Sequence, residues 1–470
     1  MYNDRIDSDN NTQVARTLAQ SDETSGPADS PGFNPSISGR FTDRVIYGSI
    51  LVSLFAISFC GISGGMFQPI VEAAQVSRWS RLVMSISILW ALMGTAFLLF
   101  RTVLWLIYRP FPSATPANAP SLTVIIPAYN EGAMVKQAIN SVLSASYPRE
   151  KLEVLAIDDG SKDNTWSHIR EAASKHPHLV TTVRFPENRG KRAALGEGFR
   201  KARGEVVVTV DSDSVIDSNT LLAVAGPFRD PRVGAVAGKV IVLNRDQGII
   251  PKMLKVQFIL AFDMLRAVQS TYSTVYCCPG ALSAYRSSAV RLVLSRWLNQ
   301  TFLGVPCTYG EDRSLTNFVL SEGFDTVYQR TARVHTIVPW TYEKLCKMYL
   351  RWNRSYIRET IHFWKIIWKR PLWPRAISLI DLLITNIRYP ISYLNLALFV
   401  TLSINRPTTV INLFSVIGLF SALNMAYYLR SERSWDFLYG ILYSYFSFLA
   451  LFWIFPYAFI TVRAKSWMTR

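Results

Sequence analysis

The chain has 470 residues, of which 50% are hydrophobic and 13% are aromatic. It is too apolar for one ordinary soluble domain, and with 18% charged residues it is too charged for a bundle that lies wholly in a membrane. The formal net charge of +17 would suit nucleic acid, anionic lipid or a polyanionic substrate, and the apolar runs described next favour membrane lipid over nucleic acid. The five cysteines lack the spacing of a zinc site or a disulfide framework, which favours a reducing cytoplasm.

The first 110 residues divide into a tail and two apolar runs. Residues 1–43 are poor in large apolar side chains and rich in Ser, Asp, Asn, Gly and Pro, so we predict a disordered tail rather than a signal peptide. Within residues 44–110, the runs from Val45 to about Met66 and from Leu82 to about Tyr108 are each long enough to cross a bilayer. Basic residues flank these runs, which predicts that the following domain faces the cytoplasm.

Residues 119–340 have the composition of a soluble α/β domain. Apolar strand patterns alternate with helical patterns, and this βαβα order predicts a parallel sheet. The predicted elements are a strand from Leu122, a helix at about 133–144, a strand at Leu152–Ile157, a helix at about 163–175, a strand at Val180–Arg184, a helix at about 191–202 and a strand at Val206–Val210.

Carboxylates follow two of these strands. The β-branched run Val206–Val210 ends in Asp211-Ser-Asp213, and the second strand of the series, Leu152–Ile157, ends in Asp158-Asp159. An Asp-x-Asp pair at the carboxyl end of a parallel strand offers hard oxygens to Mg²⁺ or Mn²⁺, which commonly accompany phosphates. A lone Asp-x-Asp is more often a capping or turn pair, so the metal hypothesis depends on the rest of the chain.

The C-terminal part alternates between basic aromatic helices and apolar runs. Residues 341–386 interleave Trp and Tyr with Arg and Lys, which is typical of amphipathic helices at a membrane interface. We predict transmembrane helices within 387–462 and a basic tail at 463–470. If all three C-terminal apolar stretches crossed once, this tail would lie outside, against the positive-inside rule, so one stretch is expected to lie flat or cross twice. The stretches are Ala376 to Ile404, Val410 to Tyr428 and Phe437 to Thr461.

A set of motifs in fixed order carries a family resemblance. The motifs are Pro127-Ala-Tyr-Asn-Glu131, Asp158-Asp-Gly-Ser161, Asn188-Arg-Gly-Lys191, Asp211-Ser-Asp213, Gly310-Glu-Asp-Arg313 and Arg351-Trp352. Together they resemble the processive family-2 glycosyltransferases, which include hyaluronan, chitin and cellulose synthases and the rhizobial chito-oligosaccharide synthase. The segments Asn299–Asn317, Thr326–Gln329 and Arg351–Glu359 most resemble bacterial hyaluronan synthases. The resemblance covers roughly residues 45 to 470.

The resemblance implies an α/β fold of the GT-A, Rossmann-like type, joined to a bundle of transmembrane helices and interfacial helices. It also implies UDP-sugar donors, a nascent polysaccharide as acceptor, and Mg²⁺ or Mn²⁺ as cofactor. The implied metal ligands are Asp211 and Asp213. The implied nucleotide-sugar-binding residues are Tyr129, Glu131, Asp158, Asp159, Lys191, Asp211, Arg351 and Trp352. Without the other motifs, Arg351-Trp352 would read as an interfacial anchor pair.

The attacking hydroxyl of the acceptor must lose a proton, so one carboxylate outside the metal site should act as a general base. By analogy with the family, Asp312 is this catalytic residue and Glu311 binds or positions the acceptor; the alternative is a surface charge cluster. A single base and direct displacement imply inversion, from an α-linked donor to a β-linked product. The segment Cys277–Gly280, with Cys278 and Gly280, resembles the acceptor-binding segment of these synthases; otherwise it is an ordinary turn.

Two positions depart from the family pattern. Met348 stands where the motif usually has Gln. Glu311 stands where many hyaluronan synthases have Asp, and the chito-oligosaccharide enzymes share this Glu. Three hypotheses remain: a hyaluronan synthase that uses UDP-GlcNAc and UDP-glucuronate, a chitin-type synthase that uses UDP-GlcNAc alone, and a catalytically silent UDP-sugar-binding membrane protein. Oligomeric state does not follow from the sequence.

Overall fold

A computed structural model describes residues 37–63, 77–407 and 409–464 of the chain. The helices are α1 (Ile37–Ser63), α2 (Arg78–Ile107), α3 (Met134–Leu143), α4 (Thr165–Ser174), α5 (Lys191–Lys201), α6 (Thr220–Ala225), α7 (Ile249–Phe258), α8 (Leu265–Ser270), α9 (Ser287–Leu298), α10 (Glu311–Ser321), α11 (Tyr342–Ile366), α12 (Leu372–Asn405), α13 (Thr409–Glu432), α14 (Phe437–Phe446) and α15 (Ile454–Ile460). The strands are β1 (Leu122–Ala128), β2 (Leu152–Asp158), β3 (Val180–Arg184), β4 (Val206–Val210), β5 (Ser214–Ile216), β6 (Val233–Val242), β7 (Leu282–Arg286), β8 (Thr301–Phe302), β9 (Val305–Pro306) and β10 (Asp325–Thr336).

Eight strands form one mixed sheet in the order β3-β2-β1-β4-β7-β6-β10-β5. The half β3-β2-β1-β4 is parallel, as predicted. Strand β7 then runs antiparallel to both β4 and β6, while β10 pairs parallel to β6 and antiparallel to β5. The prediction of a parallel sheet is therefore confirmed for half of the sheet, and the other half is mixed.

The sheet is covered on both faces, which explains its continuous apolar strands. All seven residues of β1 and all five of β4 are buried. Alternate residues of β1 enter different cores: Val124 and Ile126 pack in the layer that contains α3, whereas Ile125 packs against α5. The carboxyl ends of the parallel strands are left open between these layers, and this is where the acids lie.

Among the described residues, four helical segments are long and apolar enough to cross a membrane. They are Asp43–Cys60, Arg78–Ile107, Leu372–Ile404 and Thr409–Glu432. The last predicted stretch is not a straight helix, because Phe437–Leu451 and Ile454–Ile460 meet at an angle of 46°.

Two predicted boundaries fall inside helices. Helix α1 begins at Ile37, so residues 37–43 are helical rather than part of a disordered tail. Helix α12 is continuous from Leu372 to Asn405, so the predicted change from interfacial to transmembrane helix at 386/387 falls in its middle. The remaining tail residues 1–36, the end of the first apolar run at 64–66 and the tail residues 465–470 lie outside the described residues.

Candidate active site

Two strand ends place carboxylates at the same edge of the sheet. Asp158 ends β2 and is level with Ala128 of β1, while Asp211 directly follows β4 on the other side of β1. Neighbouring strands lie about 4.8 Å apart, so these two acids are separated by roughly 10 Å across the edge. The side chain of Asp158 is fully buried, and its Oδ1 accepts a hydrogen bond from the Ser161 amide at 3.0 Å. Arg184 Nε lies 3.2 Å from the other oxygen, Oδ2.

Asp159 stabilises the loop that leads into α5. Its carboxylate accepts hydrogen bonds from the amides of Arg189 and Gly190, both at 2.8 Å, and from Asn188 Nδ2 at 3.1 Å. Burial raises the pKa of Asp159, and these donors oppose the shift. The side chain that the sequence assigned to the nucleotide therefore holds the loop that begins at Asn188 and places Lys191 at the first position of α5.

The loop after β1 carries Tyr129 and Glu131 and is fixed to the loop after β2. The Glu131 amide donates to Thr165 Oγ1 at 2.8 Å, and the Asn130 amide donates to Ser161 Oγ at 3.0 Å. Both predicted residues are partly exposed beside Asp158, so the two loops form one rim of the cleft.

Asp211, Asp213 and Lys191 meet at the end of β4. Lys191 Nζ donates to Asp211 Oδ1 and lies 3.5 Å from Glu311 Oε1. Asp213 Oδ1 accepts from Ser214 Oγ at 3.1 Å and from Thr336 Oγ1 at 3.3 Å. Within the described ranges, no group of three His, Cys, Asp or Glu side chains could hold a metal ion. Two carboxylates still fit Mg²⁺ or Mn²⁺ that shares its coordination with substrate phosphates and water. Asp211 and Asp213 are the residues that would hold such an ion.

The start of α10 brings the predicted base to the same cleft. The Gly280 amide donates to Asp312 Oδ2 at 3.3 Å, and the Arg313 amide donates to Oδ1 at 2.7 Å. A Cβ on Gly280 would lie 2.9 Å from Lys191 Nζ and 3.4 Å from the Asp211 carboxylate. This segment therefore passes within contact distance of Lys191 and of the acid that follows β4.

The charges at this point are coupled. Burial and the neighbouring charge of Glu311 raise the pKa of Asp312. Burial alone would raise the pKa of Glu311, but Lys191 and Arg351 reverse this and lower it. Burial alone would lower the pKa of Lys191, but Asp211 and Glu311 outweigh it and raise the pKa. Glu311 is thus the ionised partner of Lys191, and Asp312 is the carboxylate better suited to take a proton.

Helix α11 carries Arg351 and Trp352. Arg351 lies one turn before Ser355, which abuts Gly310 at the start of α10, and its positive charge helps to lower the pKa of Glu311. Trp352 lies in an aromatic cluster, with ring centroids 6.1 Å from Phe258 and 6.0 Å from Phe262. The structure therefore brings Arg351 to the acids, whereas Trp352 borders the junction with α7.

One predicted residue lies elsewhere. The side chain of Cys278 is fully buried in the hydrophobic core, and the thiol beside the base belongs to Cys277, whose Sγ lies 3.6 Å from Asp312 Oδ2. Burial raises the pKa of the Cys277 thiol to about 12, so it is a protonated donor and not a nucleophile. Sequence reasoning also missed Arg184, because its pairing with Asp158 depends on strand register alone.

Comparison with known proteins agrees with this geometry. The model of the family "Glycosyl transferase family 2" matches residues 123–294. An N-acetylglucosaminyltransferase from Azorhizobium caulinodans is 30% identical over 352 residues, which is 75% of this chain and 87% of the relative. A hyaluronan synthase from Streptococcus pyogenes is 34% identical over 281 residues, 59% of this chain and 66% of the relative.

A solved structure shows the same fold. A mannosyltransferase from Pyrobaculum calidifontis, solved with GDP-Man and Mn²⁺, superposes with a TM-score of 0.56 at 23% identity and covers 77% of this chain and 96% of the mannosyltransferase chain. The catalytic domain is thus that of a glycosyltransferase with the GT-A fold. The chain belongs to glycosyltransferase family 2.

Proposed function

We propose that this protein is a membrane-embedded, inverting and processive β-glycosyltransferase that polymerises sugars from UDP-GlcNAc and UDP-glucuronate into hyaluronan and passes the polymer outward. The observation that supports catalysis best is the pairing of roles at α10: Glu311 is ionised against Lys191, while Asp312 has a raised pKa and faces the cleft. Asp312 accepts the proton of the acceptor hydroxyl. One base beside one displacement gives inversion at the sugar carbon.

The donor side supports a uridine nucleotide. Asp158 Oδ2 is buried and lies 3.2 Å from Arg184 Nε, but among the described residues no group donates a hydrogen bond to it. A uracil ring supplies an N–H at N3, whereas cytosine has an acceptor there, so the carboxylate would select uracil. Lys191 and Arg351 would face the diphosphate, and a divalent ion on Asp211 and Asp213 would neutralise the charge that develops on the leaving group.

The two relatives are named N-acetylglucosaminyltransferase and hyaluronan synthase, and the arginines near the cleft bear on whether glucuronate is a donor. A glucuronate carboxylate needs a compensating cation. Arg354 donates to Thr461 at 2.8 Å, and Arg358 Nε donates to Glu359 at 3.0 Å, so both are buried and engaged. Arg313, whose guanidinium lies 5.1 Å from the Tyr356 ring centroid, is the remaining candidate from the sequence. The engagement of Arg354 and Arg358 in other contacts favours a second candidate function, a chitin-type synthase that uses UDP-GlcNAc alone.

Export is supported by polar side chains between the apolar helices. Tyr356, under Arg313, donates to Asn386 of α12 at 3.1 Å. Between α2 and α12, Arg101 pairs with Asp381, nearer the start of α12 than Asn386, and Ser87 donates to Asn395 at 2.8 Å further along the helix. Polar groups that face the interior of a membrane bundle commonly mark a substrate path. This series leads from the neighbour of Asp312 into the bundle.

The contacts of the bent segment support four crossings with the catalytic domain in the cytoplasm. Just before α14, Asp436 accepts from Lys255 of α7 at 2.8 Å. Just after α15, Tyr309 donates to the Ala464 carbonyl at 2.9 Å. Because both ends contact the catalytic domain, the segment would not cross, and Ala464 would lie on the cytoplasmic side, in agreement with the positive-inside rule.

The test is to incubate purified protein with Mg²⁺ or Mn²⁺ and each UDP-sugar singly and together, and to digest the product with specific enzymes. We expect polymer only when UDP-GlcNAc and UDP-glucuronate are both present, and we expect hyaluronan lyase to degrade it. The Asp312→Asn variant serves as the inactive control. Polymer from UDP-GlcNAc alone that chitinase cuts would replace hyaluronan by the second candidate.

A further inference from the structure

A buried carboxylate lies on α11, two turns beyond Arg351. Glu359 is fully buried. Its Oε1 accepts from Gln300 Nε2 at 2.9 Å and from Arg358 Nε at 3.0 Å, and its Oε2 accepts from Asn317 Nδ2 at 3.0 Å. We call Gln300, Asn317, Arg358 and Glu359 the Glu359 cluster.

Only a carboxylate satisfies this cluster. The three side chains that hydrogen-bond to Glu359 all present donors, His362 Nδ1 lies 3.5 Å from its Oε2, and Asn317 Nδ2 also donates to the Glu359 backbone carbonyl at 3.0 Å. Burial alone would raise the pKa of Glu359, but His362 and Arg358 hold it at about 2, so the group is ionised at any assay pH. An amide in its place would turn a donor towards another donor, which is costly in a buried position.

The cluster connects the three helices that carry the charged side chains on the acceptor side of the cleft. Asn317 lies on α10, which begins with Glu311-Asp312, and Glu359 lies on α11. Gln300 reaches the third helix, because its Oε1 accepts from Arg192 Nη1 at 3.1 Å, and Arg192 follows Lys191 in α5. The same oxygen accepts from Ser314 Oγ of α10 at 2.6 Å.

One face of α11 runs directly from the cluster to the cleft. Arg351, Ser355 and Glu359 are spaced by four residues and therefore lie on the same face. Ser355 abuts the residue before α10, because a Cβ on Gly310 would overlap its Oγ. Gly310 also has a φ of +72°, which favours glycine. The two helices are thus held together at successive turns, and Glu359 supplies the charged acceptor to which Asn317 of α10 donates.

We propose that Glu359 is a positioning residue for sugar transfer: it fixes α10 against α11 and α5 so that Asp312, Arg351 and Lys191 keep their register. This inference rests on the proposed function, since it assumes that these three groups act on one donor and one acceptor. Glu359 acts through other residues. Displacing reacting groups by about 1 Å can cost roughly 100-fold in rate, so the loss of one such contact has a measurable effect on turnover.

The test compares E359Q with E343Q, a matched change on the same helix. Glu343 is exposed and pairs with Lys347 one turn on. UDP binding is titrated by calorimetry, and sugar transfer is expressed per UDP-binding molecule. We expect E359Q to lose roughly 100-fold in this turnover while E343Q and the UDP affinity of both stay near wild type. If Glu359 only stabilised the fold, fewer molecules would bind UDP but each would turn over at the wild-type rate, which would overturn the proposal.

A double variant distinguishes the loss of the contact between residues 300 and 359 from general disruption of the protein. In Q300E/E359Q the amide and the carboxylate exchange places, so the contact between the two positions is restored and Arg192 and Ser314 keep an acceptor. We expect this variant to regain about tenfold of the lost turnover, and no regain in a UDP-binding protein would contradict the proposal.

If E359Q yields no UDP-binding protein, Q300A, which leaves the carboxylate in place, is measured in the same way. Wild-type turnover per UDP-binding molecule in Q300A would then overturn the inference. A wild-type protein that binds UDP but transfers no sugar would instead refute the proposed function, so the two failures are distinguishable.

Discussion

The parallel and the mixed halves of the sheet hold charge in different ways. On the parallel half, Asp158 and Asp211 sit at strand ends on either side of β1, and each has a cation beside it: Arg184 lies 3.2 Å from Asp158, and Lys191 donates to Asp211. On the mixed half, Glu311 and Asp312 depend on Lys191 and on each other, so their pKa values move in opposite directions. Acids that are held apart at separate strand ends suit binding, because each can meet a different group of the nucleotide. Coupled acids suit proton transfer, because one carboxylate is kept ready to accept a proton.

The comparison is sharpest at Asp312. The change Asp312→Asn should lower turnover by about 10²–10⁴-fold, because it removes the base, while UDP affinity stays near wild type. Since the folded-state pKa of Asp312 is raised, its ionisation opposes folding as pH rises through that pKa, so the variant should be no less stable than wild type at neutral pH. Turnover and UDP binding are measured on the same preparation. If UDP affinity fell together with turnover, Asp312 would instead belong to the nucleotide-binding part of the cleft.

Metal dependence tests the parallel half. The change Asp213→Asn should reduce transfer by roughly 100-fold or more, because one oxygen ligand of the ion that screens the diphosphate is lost. EDTA should produce the same loss in the wild-type protein, and added Mn²⁺ should restore it. Full activity after exhaustive chelation would show that no metal ion acts at Asp211 and Asp213.

The preference for uracil over cytosine in the donor nucleotide should depend on Asp158. The change Asp158→Asn should weaken UDP binding by about tenfold, the effect of losing one hydrogen bond to a charged acceptor, with little change in turnover at saturating donor. Calorimetry with UDP and CDP measures this, and we expect the preference for UDP over CDP to narrow. An unchanged preference would mean that another group recognises the base.

The pH profile tests the coupling. Asp312 must be ionised to act as a base, so activity should fall as pH drops through its raised pKa. Replacing Glu311 by Gln removes the neighbouring negative charge, which should lower the pKa of Asp312 and move the acid limb to lower pH. The profile of kcat/KM between pH 4 and 8 shows the shift. A limb that moves upward would show that Glu311 does not raise the pKa of Asp312.

The smallest effect is expected at Cys277. Its thiol is a weak donor to Asp312, so Cys277→Ala should keep turnover within about threefold of wild type. Turnover before and after the change is sufficient as a measurement. An inactive but folded variant would imply a covalent role that the protonated thiol does not support.

On the nucleotide-sugar side of the cleft, the strands and the sheet edge were largely determined by the sequence alone. The runs Leu122–Ala128 and Val206–Val210 are apolar and β-branched, and the acids follow where the apolar pattern stops, so strand, edge and site residues are all local signals. The order of the motifs identified the family, which the comparisons confirm. The orientation of β7 and β10 lacked such a signal, because it depends on partners far along the chain.

The contacts on the acceptor side of the cleft, around α10 and α11, were decided only by the tertiary structure. Gln300 and Asn317 meet Glu359 across 59 and 42 residues, and no local periodicity encodes such a contact. The cysteine beside the base, the engagement of Arg354 and Arg358, and the bent segment after Asp436 likewise follow from packing between distant elements. A buried polar group must find its partner wherever the fold brings one, and for this reason the sequence indicated which acids were present but not which of them are coupled.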